Sequence, residues 1–153
     1  MFRKALVGYD GSKSAKAALQ CAVAMAGDCD IELTALWVRE PLPRHSDLPS
    51  EVAGEKGVAN EYFKERCEEI KELAETHGVN IRCVSCAGHP AKTIVQQADE
   101  GGYDLIIVGH SGHSELWGRL LGDIADRIAD HAHCSVLIVK QSKRLWEWDT
   151  PLT

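Results

Sequence analysis

The sequence lacks long hydrophobic runs, an excess of positive charge and an export signal. No apolar run approaches the ~20 residues that a helix needs to cross a bilayer. Lys and Arg number 17 against 23 Asp and Glu, a formal net charge of −6. This balance gives no electrostatic reason to bind nucleic acid or an anionic membrane. The N-terminus is basic and then apolar, but its apolar part is too short for a signal peptide. We therefore expect a cytoplasmic protein without nucleic-acid or membrane partners.

The absence of an export signal also decides how the cysteines are interpreted. Most of them are expected to be buried thiols rather than disulfides, because the chain is long enough to build a core without covalent links. The segment Cys83-Val84-Ser85-Cys86 has the spacing of a zinc or redox pair. A strand would place these two thiols on opposite faces, which disfavours a shared metal. The six cysteines are Cys21, Cys29, Cys67, Cys83, Cys86 and Cys134.

The 153 residues, 44% of them hydrophobic and 26% charged, fit one globular domain. We assign residues 1–153 to it, with a core of about 2–140 and a tail of 141–153 that is either a dimer arm or a frayed end. Continuously apolar runs such as Leu105-Ile106-Ile107-Val108 predict strands covered on both faces, as in a parallel sheet. The predicted strands are Phe2 to Gly8, Ile31 to Val38, Val79 to Ser85, Tyr103 to Gly109 and Val136 to Lys140.

Apolar residues at three- and four-residue steps predict four helices between these strands. Ser12 is the expected N-cap of the first helix, which should end near Gly27. The second should end at Gly78, and Pro90 suits the first turn of the third. The segment from Glu40 to Gly57 contains three prolines and is predicted to be irregular. Strands and helices alternate from end to end, which predicts a doubly wound parallel α/β sheet.

Glycines mark the loop that follows the fourth predicted strand. Gly109, two residues, Gly112, nine residues and Gly122 form a spaced set that ends where the last helix begins. Glycines allow the backbone to approach a ligand closely, and amides at a helix N-terminus favour anions such as phosphates. In an open parallel sheet, ligands bind beyond the carboxyl ends of the strands. The spacing therefore indicates a nucleotide-type loop.

This glycine spacing resembles that of the ATP-binding universal stress proteins. Several other segments of the chain are similar to the same family, and together they cover about Phe2 to Lys140. They are Leu6-Val7-Gly8-Tyr9-Asp10-Gly11-Ser12, Gly88-His89-Pro90-Ala91, Asp104-Leu105-Ile106-Ile107-Val108-Gly109, and the ending from Asp126-Arg127 through Cys134-Ser135-Val136-Leu137-Ile138-Val139.

The resemblance implies a fold, an assembly and a ligand. The fold would be a single-domain, Rossmann-like three-layer sandwich of the adenine nucleotide alpha hydrolase-like type, with a five-stranded parallel sheet in the order 3-2-1-4-5. A homodimer would form through the last strand, at 136–140. An adenine nucleotide, ATP or AMP, would lie with its adenosine end near Asp10 and Val38. The implied ligand-binding residues are Gly8, Tyr9, Asp10, Val38, Val108, Gly109, Ser111, Gly112, Arg119, Gly122, Asp123 and Ile124.

One residue of the loop departs from the family pattern. The family has Ser or Thr after the final glycine, where this chain has Asp123. An ionised carboxylate accepts hydrogen bonds but cannot donate one to a phosphate, and it would repel a triphosphate. Asp123 could instead cap the last helix and occupy the anion site itself. Compensation by Arg119, or by Mg²⁺ bridging the carboxylate to phosphate, stays open.

Three other interpretations of the sequence compete with nucleotide binding. A transition-metal site could use His110 and His113 together with His131, His133 and Cys134, although nothing in the sequence places these two groups together. A weak ATPase or other nucleotide hydrolase is a second alternative, but the sequence identifies no nucleophile with a paired base. A dimeric scaffold that binds an unidentified protein partner is the third. We expect a regulatory protein rather than an enzyme, and no metal site.

Overall fold

The computed structural model describes the backbone of residues 1–40, 49–110 and 124–140, and the side chains of the same ranges except 49–59. Strands and helices alternate along these ranges. The strands are β1 (Lys4–Gly8), β2 (Glu32–Arg39), β3 (Ile81–Ala87), β4 (Leu105–Gly109) and β5 (Ser135–Val139). The helices are α1 (Lys13–Cys29), α2 (Pro49–Thr76), α3 (Pro90–Gly101) and α4 (Ile124–His131).

The five strands form one parallel sheet in the order β3-β2-β1-β4-β5. In its centre, Leu6 of β1 lies between Thr34 of β2 and Ile106 of β4. The chain therefore builds the sheet outward from β1 to β3 and then returns to the other side of β1 to add β4 and β5. The strand order implied by the family resemblance is confirmed.

Alternate residues of the central strands pack into two separate hydrophobic cores, one on each face of the sheet. Ala5 and Val7 of β1 pack on one face with α1 and α2, whereas Leu6 packs on the other with α3 and α4. All three are at most 1% exposed. A parallel sheet needs both of its faces covered, and the period of two in a strand separates the faces cleanly. The result is the predicted three-layer α/β sandwich of Rossmann-like type.

The predicted strands are confirmed, with ends that move by one or two residues. The first helix also begins as predicted, because Ser12 is its N-cap and the Ser12 hydroxyl accepts from the Ala15 amide at 3.2 Å. Its predicted end near Gly27 is two residues early. The helix continues to Cys29, and Asp30 ends it in the left-handed conformation with φ of 53°.

The prediction of an irregular segment through Gly57 is wrong for its second half. The backbone of α2 is helical from Pro49 onward, so that α2 is 28 residues long. Proline fits the first turn of a helix, where its missing amide is not needed. Gly54 and Gly57 each cost about 1 kcal/mol of helix propensity relative to alanine, which weakens a helix without forbidding it. Residues 41–48 of the predicted irregular segment lie outside the described residues.

Two side chains just before β4 connect neighbouring strands at the amino edge of the sheet. The carboxylate of Asp104 accepts from the Arg3 amide at 2.9 Å and from the Lys4 amide at 3.0 Å. These backbone hydrogen bonds hold the pKa of the Asp104 carboxyl below its usual range. The Tyr103 hydroxyl donates to the buried Thr34 hydroxyl at 2.9 Å. Together these contacts fix the starts of β1, β2 and β4 relative to one another.

Within the described ranges, none of the helices is both long and apolar enough to cross a membrane.

Replacing Asp104 by asparagine should lower the free energy of unfolding at pH 7, because an amide offers one acceptor oxygen to two backbone donors. A carboxyl whose pKa is lowered by folding stabilises the protein above its ordinary pKa of about 3.9, and this contribution disappears as the pH falls through the lowered value. The difference between wild type and Asp104→Asn should therefore shrink in acid. Urea unfolding at pH 7 and at pH 3 measures both effects.

The exposed carboxylate of Asp28 provides the control, since Asp28→Asn removes the same charge from the far end of α1. It should leave the stability nearly unchanged at both pH values. An Asp104→Asn protein as stable as wild type at pH 7 would contradict the role assigned to this carboxylate.

Candidate functional site

A cleft opens at the carboxyl edge of the sheet between β1 and β4. The chain leaves β1 toward α1 on one face, whereas α4, which follows β4, lies on the other face. Neighbouring strands whose connections diverge in this way leave a crevice, which is where ligands bind in open α/β sheets. Its volume of about 270 Å³ is close to the lower end for small-molecule sites, about 300 Å³. The cleft is lined by Gly8, Tyr9, Asp10, Ser12, Ser14, Ala15, Leu36, Val38, Glu40, Pro90, Ile94, Val108, Gly109 and Ile124.

Asp10 supplies an exposed carboxylate at the end of β1. Its Oδ1 accepts from the Ser12 amide at 2.9 Å, which makes a tight turn into α1. Glu40, also exposed, places a second carboxylate at the cleft beyond the end of β2. Carboxylates accept hydrogen bonds from hydroxyl and amino groups and repel phosphates. This part of the cleft therefore suits the hydroxyl-rich or amine-bearing end of a ligand.

Apolar side chains form the wall of the cleft on the α3 side. Val108 is buried, Val38 is half-buried, and both belong to the core that β4 and β2 share with α3. Ile94 of α3 is buried beside them, and Ile124 at the start of α4 is 42% exposed. A planar apolar group, such as the face of a heterocyclic base, would fit against such a wall.

The side chain of Tyr9 belongs to the opposite face of the sheet. It is 4% exposed and packs in the core that β1 shares with α1 and α2. Burial raises the pKa of the Tyr9 phenol, and the nearby carboxylate of Glu69 raises it further, so that the hydroxyl stays protonated. The Tyr9 amide donates to the Leu36 carbonyl oxygen at 2.9 Å. Tyr9 thus lies at the cleft, as predicted, but its side chain anchors β1 to α2.

Gly109, which ends β4, has a reason to be glycine that involves no ligand. A Cβ at this position would lie 2.2 Å from the carbonyl oxygen of Ser14 and 2.9 Å from the Ser14 Cβ. The end of β4 therefore packs directly against the first turn of α1. Gly8 is crowded less severely, since its Cβ would lie 3.1 Å from Ile94 and from Val108. The close neighbour of Gly109 is thus the chain itself, and its predicted approach to a ribose or phosphate stays a prediction.

The sequence places several further site residues in the loop between β4 and α4. These residues lie outside the described residues, so their part in binding stays a prediction. They are Ser111, Gly112, Arg119, Gly122 and Asp123. The described site is therefore the end of the cleft formed by β1, β2, β4 and the first turns of α1 and α3.

Sequence reasoning did not identify Ser14, Glu40, Pro90 or Ile94 as site residues, although all four line the cleft. Pro90 and Ile94 reach it because the N-terminus of α3 lies beside the ends of β1 and β2. The segment Gly88-His89-Pro90-Ala91 was a usable signal, since it marks a helix that begins at the ligand-binding edge of the sheet. Ser14 lies at the cleft because the first turn of α1 packs against Gly109, a contact that no local sequence pattern indicates.

The sheet separates the groups that suggested a metal site. His110 follows β4 at the carboxyl edge, whereas His133 and Cys134 precede β5 at the amino edge. His133 instead contacts the Asp99 carboxylate at 2.8 Å. Across the part of the chain that the structure describes, no three His, Cys, Asp or Glu residues are grouped so that they could hold a metal ion. His113 lies outside that part.

The Cys83–Cys86 pair lies in a strand, as predicted, and its two side chains pack into different cores. Burial raises the pKa of the Cys83 thiol to about 12, and a hydrogen bond with Cys67 also raises it. Cys83 is therefore a thiol at neutral pH, and a thiol is neither a good nucleophile nor a metal ligand. These observations favour a packing role for the pair.

The fold and the cleft define the chain as a parallel α/β protein with a small-ligand site where the strand order reverses. The chain belongs to the universal stress protein family, whose family model matches residues 1–140. The tail at 141–153 lies beyond that match and outside the described residues.

Two relatives and one solved structure illustrate the similarity. The universal stress protein MJ0531 of Methanocaldococcus jannaschii is 34% identical over 94% of this chain and 85% of its own length. The universal stress protein YxiE of Bacillus subtilis is 36% identical over 92% of this chain and 100% of its own. A universal stress protein solved in complex with cAMP is 28% identical, with a TM-score of 0.72, and the match covers 92% of this chain and 99% of that one.

Replacing Gly109 by alanine should lower the free energy of unfolding by about 1–3 kcal/mol, because the added methyl group overlaps the Ser14 backbone and forces β4 and α1 apart. Gly27 of α1 is the matched control, since its nearest neighbours are 3.8 Å from an added Cβ. Gly27→Ala should leave the stability unchanged or raise it by up to about 1 kcal/mol. Chemical denaturation without ligand measures both. Equal stability of Gly109→Ala and wild type would show that the close approach imposes no constraint.

Proposed function

We propose that the protein is a regulatory universal stress protein that binds an adenine nucleotide in the cleft between β1 and β4. The observation that carries the proposal is the pairing of the exposed Asp10 carboxylate with an apolar wall at the reversal point of the sheet. The relative solved with cAMP supports the class of ligand, because it shares the fold over nearly the whole of both chains.

The charges of the cleft suggest the orientation of the nucleotide. The base would lie against Val38 and Ile94, and the ribose hydroxyls would donate to Asp10. A second carboxylate at Glu40 makes this end unfavourable for phosphate. The phosphate would therefore point past Gly109, toward the loop that precedes α4. A helix N-terminus such as that of α4 favours an anion, which agrees with this direction.

The length of the phosphate chain would be limited by Asp123. Its carboxylate adds a negative charge where the family has a hydroxyl, and as a helix cap it would compete with phosphate for the amides of the helix start. We infer that AMP-like ligands are preferred to ATP, and that Mg²⁺ helps ATP by bridging the carboxylate to phosphate. The positive charge of Arg119 would act in the same direction.

Binding rather than catalysis is the proposed activity. Among the residues that the structure describes, the serine hydroxyls at the cleft are those of Ser12 and Ser14. They contact each other at 3.1 Å, and the Ser12 hydroxyl also caps α1. A serine nucleophile needs a base to remove its proton, and the Asp10 Oδ1 beside these serines accepts from the Ser12 amide rather than from either hydroxyl. Nucleotide hydrolysis well above background that is lost in Asp10→Ala would overturn this part of the proposal.

A dimeric scaffold is the second candidate function. The observation that favours it is the position of β5, whose backbone pairs with β4 on one side and forms the edge of the described sheet on the other. We propose a homodimer joined through this edge, in agreement with the assembly that the family resemblance implies. A nucleotide could then control which protein partner the dimer binds. The cytoplasmic location stays a prediction.

Asp10→Ala should weaken AMP binding about 10- to 100-fold, because hydrogen bonds to a charged acceptor contribute about 1.5–3 kcal/mol each. Isothermal titration calorimetry measures the affinity of both proteins. Asp28→Ala is the matched control, since it removes an exposed carboxylate from the far end of α1 and should leave the affinity unchanged. Failure of the wild-type protein to bind AMP, ADP or ATP at millimolar concentration would rule out the proposed ligand.

Asp123→Ser should raise the affinity for ATP by a larger factor than the affinity for AMP, because it removes a negative charge and restores a hydroxyl donor at the phosphate end. The calorimetric titrations are run with and without Mg²⁺, which should help the wild type more than the variant. Micromolar affinity of the wild type for ATP in the absence of metal would contradict the inferred repulsion.

A further inference from the structure

A tyrosine of α2 reaches across to the loop that carries Asp10. The Tyr62 hydroxyl donates a hydrogen bond to the main-chain carbonyl oxygen of Asp10, with a distance of 2.9 Å. The two residues are 52 positions apart in the chain. Tyr62 is not among the residues that line the cleft. Its hydroxyl therefore acts on the backbone of Asp10 from outside the candidate site.

Packing on the Tyr62 ring fixes the direction of this hydroxyl. Trp37 of β2 lies against it with ring centroids 5.0 Å apart. The guanidinium of Arg66 lies 4.8 Å from the ring centroid, and a 3.2 Å ion pair with Glu69 holds that guanidinium in turn. A ring that is held by two neighbours loses little further freedom when it forms a hydrogen bond. Tyr62 is therefore packed in the position from which its hydroxyl reaches Asp10.

The loop between β1 and α1 has a glycine, Gly11, at its contact with Tyr62. Gly11 has a φ of +83°, a conformation that side chains of L-residues rarely adopt. A Cβ on Gly11 would also lie 2.8 Å from the Tyr62 hydroxyl oxygen. Both the backbone angle and the close approach therefore favour glycine next to Asp10. The glycine and the tyrosine form one fitted contact between α2 and the loop.

Asp10 is thus held at two points. Tyr62 binds its carbonyl oxygen, and the Ser12 amide binds its Oδ1. We propose that Tyr62 is a positioning residue for the nucleotide site, which holds the Asp10 backbone so that the carboxylate meets the ribose hydroxyls. This inference rests on the proposed function, because it assumes that Asp10 contacts the ligand. A pre-positioned group binds more tightly because less order has to be created on binding.

The test compares Tyr62→Phe with Tyr103→Phe. Each substitution removes one hydroxyl from a half-buried ring and breaks one 2.9 Å hydrogen bond. Tyr103 lies at the amino edge of the sheet, away from the cleft, so that Tyr103→Phe removes a tyrosine hydrogen bond without touching the Asp10 loop. Calorimetry should show AMP binding about three- to tenfold weaker in Tyr62→Phe, the effect of one hydrogen bond, and unchanged in Tyr103→Phe.

A double-mutant cycle separates positioning from a general structural effect. If Tyr62 acts through Asp10, the Tyr62→Phe change should weaken AMP binding much less in an Asp10→Ala background than in wild type. Equal factors in the two backgrounds would overturn the proposal. Equal weakening by Tyr62→Phe and Tyr103→Phe would overturn it as well.

A measurement without ligand distinguishes the failure of this inference from the failure of the proposed function. Amide hydrogen exchange at Ser12, whose amide donates to Asp10, should be faster in Tyr62→Phe than in wild type and unchanged in Tyr103→Phe. Unchanged exchange at Ser12 would show that Tyr62 does not hold the loop. Faster exchange at Ser12 in Tyr62→Phe, combined with a wild-type protein that binds no adenine nucleotide, would overturn the proposed function and the ligand assigned to this contact, while the contact between Tyr62 and the loop would stand.

Discussion

The sheet is parallel, and a parallel sheet must be covered on both faces. This constraint determines most of the molecule. Leu6, Val7, Ile106 and Ile107 at the centre of β1 and β4 are at most 1% exposed, which is achieved only because α1 and α2 cover one face and α3 and α4 the other. The chain changes faces once, after α2. The strand order reverses at that change, and the connections that follow β1 and β4 diverge to opposite faces, which creates the cleft.

The cleft has two ends of different chemistry. The described end combines the carboxylates of Asp10 and Glu40 with the apolar wall that includes Val38, which suits a nucleoside better than a phosphate. The geometry of this end depends on α2, which lies outside the cleft: Tyr62 of α2 contacts the β1–α1 loop, and the buried ring of Tyr9 packs in the core that α2 shares. A helix that sequence patterns describe only as amphipathic thus also supports the candidate site.

The apolar patterns predict the strands and the part of the site that lies at strand ends, whereas the strand order came from the family resemblance. Apolar runs in a parallel sheet are short and bounded, so Leu105–Gly109 is recognisable from its letters alone. The start of α2 was missed because Pro49 and two glycines are also typical of a loop. Ser14 and Ile94 were missed because they reach the cleft through contacts between distant elements, and local periodicity contains no information about such contacts.

The contact between Gly109 and Ser14 limits what the glycine motif can say about ligands. Gly109 is required by the packing of β4 on α1, so it would be retained in a family member that had lost its nucleotide. The Asp10 carboxylate is different, because an asparagine or serine could make the same turn to Ser12 without a charge. An exposed charge that packing does not require is better evidence of a ligand than a glycine that packing does require. The nucleotide proposal therefore depends more on Asp10 than on the glycine spacing, although that spacing identified the family.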